Sequence, residues 1–376
     1  RPNMTTGSFV GSNLGMEASV VVERIGEGVT HLRTGQRYLA TLASGTFRRY
    51  VTVEAAEARL LEDNTTLTSA ETAASLVAFG TAHRAVTDLG CVGHGDVVLL
   101  HGATGSFGLA AIQVARAHGA RVLATASTEK KRRILAEAGV EATFDSRSHN
   151  FIAEVQAYTE SQGVDVVVNT LPDDGLRANF EVLAENGRLI DISKREILEN
   201  ASLPLNLFNR NVTFAALDLD QLACDAAMFV TLGQSVLDRL ASGEYTPVPC
   251  VIFPAHKVKD SFTLQARAEH IGKVVIDLTA TEELTCLEPA PQIEVSANRT
   301  YVITGGTGGL GPYIAAWLAD RGARYLILMS RSGRLDENGV EVVEKLQAAG
   351  ASIDILAVDI TDDTALSATL DYIRSQ

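Results

Sequence analysis

Two glycine-rich turns constrain this chain more than any other feature of it. One lies in "LLHGATGSFGLAAIQVARAHGA", residues 99–120, and the other in "TYVITGGTGGLG", residues 300–311. Each follows an apolar run of strand length and opens onto a stretch whose apolar residues recur at helical spacing. A chain that leaves a buried strand, turns on glycine and enters a helix begins a βαβ unit. Two such starts, far apart, predict two nucleotide-binding units. The alternation continues after the first turn: "RVLATA" reads as a strand, "TEKKRRILAEAG" as a helix closed by Gly139, "DVVVNTL" as a strand, "DDGLRANFEVLAENG" as a helix and "RLIDIS" as a strand. Apolar strands alternating with helices argue for a parallel sheet with right-handed crossovers, an α/β doubly wound fold.

The flanks read differently. From Gly15 to Val53 the pattern is short strands and turns, with "RYLATLASGTFRRYVTV" reading as two short strands around Gly45. "LTSAETAASLVAFGTAHRAV" predicts a helix with a Thr or Ser start and an acidic residue, Glu71, in its first turn. Residues 222–242 predict a long helix. "VPCVIFPAHKVKDSFTLQARAEHIGKVVIDL" returns to strands with one helix between them. "TATEELTCLEPAPQIEVSANR" has prolines, acids and little periodicity, and reads as a linker. There is no fixed-period repeat.

A net charge of −14 argues against nucleic acid as a partner, because phosphate backbones call for a basic surface. The four cysteines, Cys91, Cys224, Cys250 and Cys286, form no C-x-x-C pair, which suits a reducing, cytoplasmic setting without a disulfide framework or zinc ribbon. Apolar runs are strand-sized, so no membrane helix is expected. The start, "RPNMTTGSFV", is neither an initiator methionine nor a signal peptide, and both ends read as cuts inside a longer polypeptide.

In the first turn Gly102, Gly105 and Gly108, with Ser106, allow backbone N–H groups to approach a pyrophosphate, and the helix that follows adds a favourable dipole. The same glycines would also serve a tight packed turn. The next strand ends in Ala126, Ser127 and Thr128 where an NAD site usually has an acid, and Lys130, Lys131 and Arg132 follow. That pattern favours a 2′-phosphate, hence NADPH over NADH, with Ser127 and Lys130 as the first candidates. For Lys131 and Arg132 a solvated helix face is an equal reading.

Five spaced motifs then carry a resemblance: "GVTHLRTGQRY", "SAETAASLVAFGTAHRAV", the first glycine turn with its flanks, "GVDVVVNTL" and "GRLIDISKREI". From about Gly15 to Leu278 the chain resembles the zinc-free, medium-chain enoyl reductases within polyketide synthases and the animal-type fatty acid synthase. "RTYVITGGTGGLGPYIAAWLADRGARYLILMSRSG" resembles the start of the ketoreductase that follows, a short-chain reductase pattern. Trp317 leans toward the fungal, highly reducing kind. The resemblance implies a partial β-rich GroES-like substrate domain at 1–64, an NADPH-binding Rossmann domain at 65–245, a return to the substrate domain at 246–279, a linker at 280–298 and an incomplete second Rossmann-like domain at 299–376. It implies an acyl carrier protein bearing a phosphopantetheine-tethered substrate and the other synthase domains as partners. Dimerisation is compatible with it, and the sequence does not decide the point.

The resemblance also implies roles. Lys194, after the strand "RLIDIS", matches a proposed proton donor, and Asp218 in "FAALDLD" matches the acid that pairs with it. Asp220 is near enough that the match does not separate the two. Arg147 would face the adenosine phosphate or the surface, and Asn169 in "NTL" would lie by the nicotinamide or simply end a strand. Gly305, Gly309 and Gly311 would cradle a second nucleotide, with Arg331 suited to a 2′-phosphate and Asp359 near the adenine. The catalytic Ser, Tyr and Lys of a ketoreductase would lie beyond Gln376, so no ketone reduction is expected. His83 and His101 read as structural, and a family tyrosine cannot be placed on Tyr38 or Tyr50.

Departures matter too. The family's N-terminal substrate-binding segment before Gly15 is largely absent. Ser106 stands where the family often has a second glycine. Met16 stands where zinc-dependent relatives carry a histidine ligand, so no metal is expected. Ser193 stands where the family usually has glycine, and would be strained if that position needs a positive φ. A free-standing quinone oxidoreductase and a catalytically inactive scaffold domain remain as alternatives.

Overall fold

The computed structural model describes residues 13–42, 45–55, 59–63, 65–145, 150–218, 220, 225–279 and 294–375. Arg147, most of the linker, Cys224 and Cys286 lie outside them. The chain divides into two compact units, Arg1–Thr285 and Cys286–Gln376.

The core of the first unit is a six-stranded parallel sheet. Its strands are β4 (Val97–Leu100), β5 (Arg121–Ala126), β6 (Ala142–Asp145), β7 (Val164–Asn169), β8 (Leu183–Asp191) and β9 (Thr213–Ala216), in the order β6-β5-β4-β7-β8-β9. Winding runs outward from β4 in one direction and from β7 in the other, so the order reverses between them. In open parallel sheets such a reversal is where ligands bind, at the carboxyl ends of the strands. The apolar runs reflect burial on both faces. Val98 and Leu100 of β4, with Val166 and Val168 of β7, pack against Ile112 and Val114 of the helix α3 (Ser106–Ala117). Leu99 and Val167, pointing the other way, pack with Phe151 of α5 (Phe151–Tyr158) and Phe180 of α6 (Asp174–Val182). Between these lies α4 (Glu129–Glu137), and α7 (Arg195–Leu198) and α8 (Ala226–Ala241) follow β8 and β9.

Ahead of the sheet, β1 (Glu17–Val21), β2 (Arg37–Thr41) and β3 (Arg59–Glu62) form an antiparallel sheet in which β2 is central. The second strand read after Gly45 does not form. Both edges of β2 are taken by β1 and β3, and Thr46 and Phe47 instead turn back to bond Leu14 O. The helix read across residues 67–86 is also broken. Thr68 and Glu71 do form a capping box on α1 (Ser69–Ala73). Ser75 Oγ then bonds Glu71 O at 2.6 Å, and a new helix, α2 (Leu76–His83), begins. It runs into a π-helical turn, Arg84–Leu89, closed by Gly90 N to Ala85 O. After α8, whose start Asp225 caps, β10 (Cys250–Pro254) and β11 (Lys273–Asp277) pair in parallel around α9 (Val258–Ala266).

Glu17 ties three of these elements together. Its carboxylate accepts from Val77 N of α2 at 2.8 Å and pairs with Lys273 of β11. Glu17→Gln keeps an acceptor for Val77 but leaves the half-buried ammonium of Lys273 without a counter-ion. We expect a loss of about 2 kcal/mol in the unfolding free energy of this unit, read by urea titration.

The second unit is a three-stranded parallel sheet, β12 (Thr300–Thr304), β13 (Tyr325–Ser330) and β14 (Ser352–Ala357). Helices α10 (Gly311–Asp320), α11 (Glu337–Ala348) and α12 (Asp363–Ser375) follow the strands in turn. Ile303, Leu328, Ala315 and Val343 belong to its core. Among the described residues no helix of the chain is long and apolar enough to cross a membrane.

Candidate functional site

The first glycine turn sits at the reversal point of the six-stranded sheet. Gly102 has φ +64°, and a Cβ there would stand 2.9 Å from Thr170 Oγ1, just beyond β7. Gly105 caps α3 with no side chain of its own over the helix start. A Cβ on Gly108 would stand 2.3 Å from Ala103 Cα, so this glycine lets the helix lie against the turn that precedes it. The bare backbone and the open helix start fit a pyrophosphate. Gly108→Ala must push the turn outward, and we expect it to raise the nucleotide KM about tenfold in steady-state assays.

Sequence reasoning missed Gly272. It adopts φ +70°, and a Cβ would stand 1.9 Å from Pro249 O. Its N–H donates to Thr104 O at 2.8 Å, and it bridges Gly105 in parallel register. A lone glycine directly before a strand, in "HIGKVV", was the only signal.

At the end of β5, Ser127 is half-buried and Lys130 exposed, with no acid between Ala126 and Thr128. The neighbouring cations serve the scaffold. Lys131 Nζ donates to Ala268 O at 2.7 Å, and Arg132 reaches Ala126 O at 3.2 Å and Glu129 at 3.2 Å.

The most distinctive geometry lies at the ends of β8 and β9. Lys194 Nζ is ion-paired with Asp218 and, at 3.1 Å, with Asp220. Asp218 Oδ1 also accepts from Asp220 N at 2.9 Å. Asp220 is only 7% exposed, and its Oδ1 is buried without a hydrogen-bond partner. Burial works against charge on the ammonium, but the hydrogen bonds it donates to Asp218 and Asp220 outweigh it and raise the Lys194 pKa above the usual lysine value. Lys194 therefore carries its proton throughout the neutral range.

The backbone there is unusual. Lys194 has φ +58° and ψ −12°. The left-handed position falls on Lys194 and not on Ser193, so the strain considered for serine does not arise. A left-handed lysine costs about 1 kcal/mol or more, and such strain persists only where its surroundings enforce it.

Asn169, at the end of β7, is fully buried and fully engaged. Its amide donates to Leu171 O and to Asp191 Oδ1, each at 2.8 Å, and its Oδ1 accepts from Leu171 N and Asn179 Nδ2. Its side chain is spent on the scaffold. His101 is completely buried between Thr125 Oγ1 at 2.8 Å and Asn179 Oδ1 at 2.7 Å, and burial pushes its pKa down to about 4. Tyr38 is buried with its hydroxyl accepting from Arg33 N, and Tyr50 is exposed.

In the second unit Gly305 and Gly309 have φ +67° and +45° and open space where a Cβ would stand, while a Cβ on Gly311 would meet Gly306 O at 2.3 Å. Arg331 is exposed after β13. Asp359 accepts from Thr361 N and Oγ1, bonds that hold its carboxyl below the usual range.

The KR domain family matches residues 299–376, and the zinc-binding dehydrogenase family matches residues 107–217. A mycocerosic acid synthase-like polyketide synthase of Mycolicibacterium smegmatis is 37% identical over 362 residues, covering 94% of this chain and 17% of that protein. A highly reducing polyketide synthase of Purpureocillium lilacinum is 34% identical over 93% of this chain and 14% of that protein. Over nearly all its length the chain matches one stretch of the polyketide synthases. It spans a reductase of the enoyl reductase type and a stretch that matches the KR domain family. The enoyl reductase unit also resembles the solved enoyl reductase-type cyclopropanase of the curacin A pathway, at 28% identity and a TM-score of 0.65 over 70% of this chain and 78% of that one. Bacterial and fungal synthases both match.

The dehydrogenase family is named for zinc. Among the described residues of the enoyl reductase unit, no group of three or more His, Cys, Asp or Glu side chains could hold a metal ion. The described residues do not fit a zinc.

Proposed function

We propose that the first unit is an NADPH-dependent enoyl reductase acting on α,β-unsaturated acyl thioesters carried by the phosphopantetheine arm of an acyl carrier protein, beside the other domains of a cytoplasmic synthase. The observation that carries this reading is a charged lysine, Lys194, held by two carboxylates beyond the carboxyl ends of β8 and β9, in the same parallel sheet whose β4 runs into the glycine turn. Gly102, Gly105, Ser106 and Gly108 would hold the pyrophosphate, and Ser127 and Lys130, with no acid between Ala126 and Thr128, would suit the 2′-phosphate. On this reading residues 65–245 bind the nucleotide, 1–64 and 246–279 form the substrate side, 280–298 link the units and 299–376 begin the ketoreductase. There, Gly305, Gly309, Gly311, Arg331 and Asp359 would serve a second nucleotide.

Bound NADPH would supply a hydride to the β-carbon of the thioester. The residues do the rest. Lys194, protonated at neutral pH, stabilises the negative charge that develops toward the thioester oxygen and delivers a proton to the α-carbon. Asp218 and Asp220 orient its ammonium and keep it charged between turnovers.

The test is consumption of NADPH with crotonyl-pantetheine thioester. The cofactor preference is read as KM in turnover, so that nucleotide held by the second glycine turn does not enter. We expect turnover, with KM for NADPH at least about tenfold below that for NADH. A folded protein that leaves the thioester unreduced at saturating NADPH would count against the proposal.

A further inference from the structure

We propose that Ser193 and Asn169 are positioning residues for Lys194, acting through the buried carboxylate of Asp191. Only the catalytic consequence of this inference rests on the reading of Lys194 as proton donor.

The left-handed backbone of Lys194 needs something to hold it, and the residue before it does so. Ser193 N donates to Asp191 Oδ1 at 3.3 Å, and Ser193 Oγ lies 3.1 Å from Asp191 Oδ2 and 3.0 Å from Glu196 Oε2. The other oxygen of Glu196 accepts from Asp173 N at 2.5 Å, which fixes that carboxylate from the far side. One serine hydroxyl thus closes the turn that carries Lys194 between two anchored carboxylates.

The anchoring of Asp191 runs deep into the domain. The hydroxyl of Thr125 faces His101 Nδ1, and His101 Nε2 faces Asn179 Oδ1. Asn179 Nδ2 donates to Asn169 Oδ1 and to Gly175 O, which fixes the amide orientation. The proton of the neutral imidazole is then on Nε2, and Nδ1 accepts from Thr125. Asn169 Nδ2 donates onward to Asp191 Oδ1. Each link donates in the same direction, from the end of β5 through β4, α6 and β7 to the carboxylate at the end of β8. Aligned bonds of this kind polarise one another and rigidify their terminus. His101 in this network directly precedes Gly102 of the nucleotide turn, and Ser193 at its far end directly precedes Lys194.

The test uses Ser193→Ala, with Ser193→Thr as the variant that returns the hydroxyl and Glu196→Gln as a second perturbation of the same turn. Two readouts are taken on the whole chain. One is steady-state reduction of crotonyl-pantetheine. The other is competitive acetylation of lysines with trace acetic anhydride across pH, read peptide by peptide, which reports the titration of Lys194 without reference to catalysis. With Ser193→Ala we expect kcat to fall about tenfold with KM for NADPH within about twofold, and the Lys194 titration to move to lower pH as its pairing loosens. Ser193→Thr restores both, and Glu196→Gln shifts both in the direction of Ser193→Ala. An unchanged Lys194 titration in Ser193→Ala and Glu196→Gln overturns the inference, whatever happens to turnover. If instead the titration moves while Lys194→Met turns over at the full rate, positioning stands and the proton-donor reading falls.

Discussion

Replacing Lys194 by methionine is expected to lower enoyl thioester turnover by about 10²-fold to 10³-fold while leaving the KM for NADPH within about twofold. Methionine keeps the unbranched reach of the side chain and removes the proton and the charge. The nucleotide turn lies at the ends of other strands and loses no contact. The substitution has a second effect, because Asp220 is nearly buried and would lose its counter-ion. A drop in stability alone could then mimic a catalytic loss. Lys194→Met combined with Asp220→Asn removes that stranded charge. We expect the double variant to regain stability and stay as slow as Lys194→Met, measured by urea unfolding and turnover on the same preparations. The pH dependence follows from the raised pKa. The pairing that raises it stabilises the fold fully below the ordinary lysine value and is lost only as pH climbs through the higher folded value. Loss of activity from deprotonation of Lys194 is therefore an alkaline event, and the neutral range stays flat in this group.

The second large effect is acid sensitivity at His101. Its folded pKa of about 4 stands below the ordinary 6.5, because the buried ring between Thr125 and Asn179 has no solvent to support a charge. The unfolded chain takes up a proton in that interval and the folded chain does not. The stabilisation is fully present above pH 6.5 and is lost as pH falls toward 4, by about 3 kcal/mol in total. His83 and His270 are also shifted down, chiefly by burial, and act with the same sign. The contribution of His101 is thus the difference between the parent chain and His101→Gln, which can still hydrogen-bond but does not titrate. The single tryptophan, Trp317, lies in the second unit and does not report on this core. Amide hydrogen exchange at β4 and β7 does. Equal loss of protection in both proteins between pH 6.5 and 4.5 would show that the histidine is not the sensor.

What could be read in advance follows the range of each interaction. The βαβ alternation, the two glycine turns and the Thr or Ser helix start with Glu71 in its first turn are local patterns, spelled by residues a few positions apart, and the structure has them. The pairing of Lys194 with an acid near residue 218 came from the resemblance, and the structure brings Asp218 and Asp220 together on it. Features set by distant partners were not legible. Ser75 bonds back to Glu71 and interrupts a helix that spacing alone makes continuous. The strand expected after Gly45 found both edges of β2 occupied. Gly272 is required by Pro249 and Thr104, which lie far from it in sequence. The chain from Thr125 to Ser193 joins residues separated by up to 78 positions, and no periodicity announces such a network.

The measurement that tests the account most directly is the fate of labels in a single reduction. Crotonyl-pantetheine would be reduced in D₂O with unlabelled NADPH, and the butyryl product examined by NMR. The account predicts hydrogen from the nicotinamide at the β-carbon and one deuterium from solvent at the α-carbon, with the α-label arriving about 10²-fold more slowly in Lys194→Met. Product labelled at the β-carbon from solvent, or an α-deuterium rate indifferent to Lys194, would contradict it.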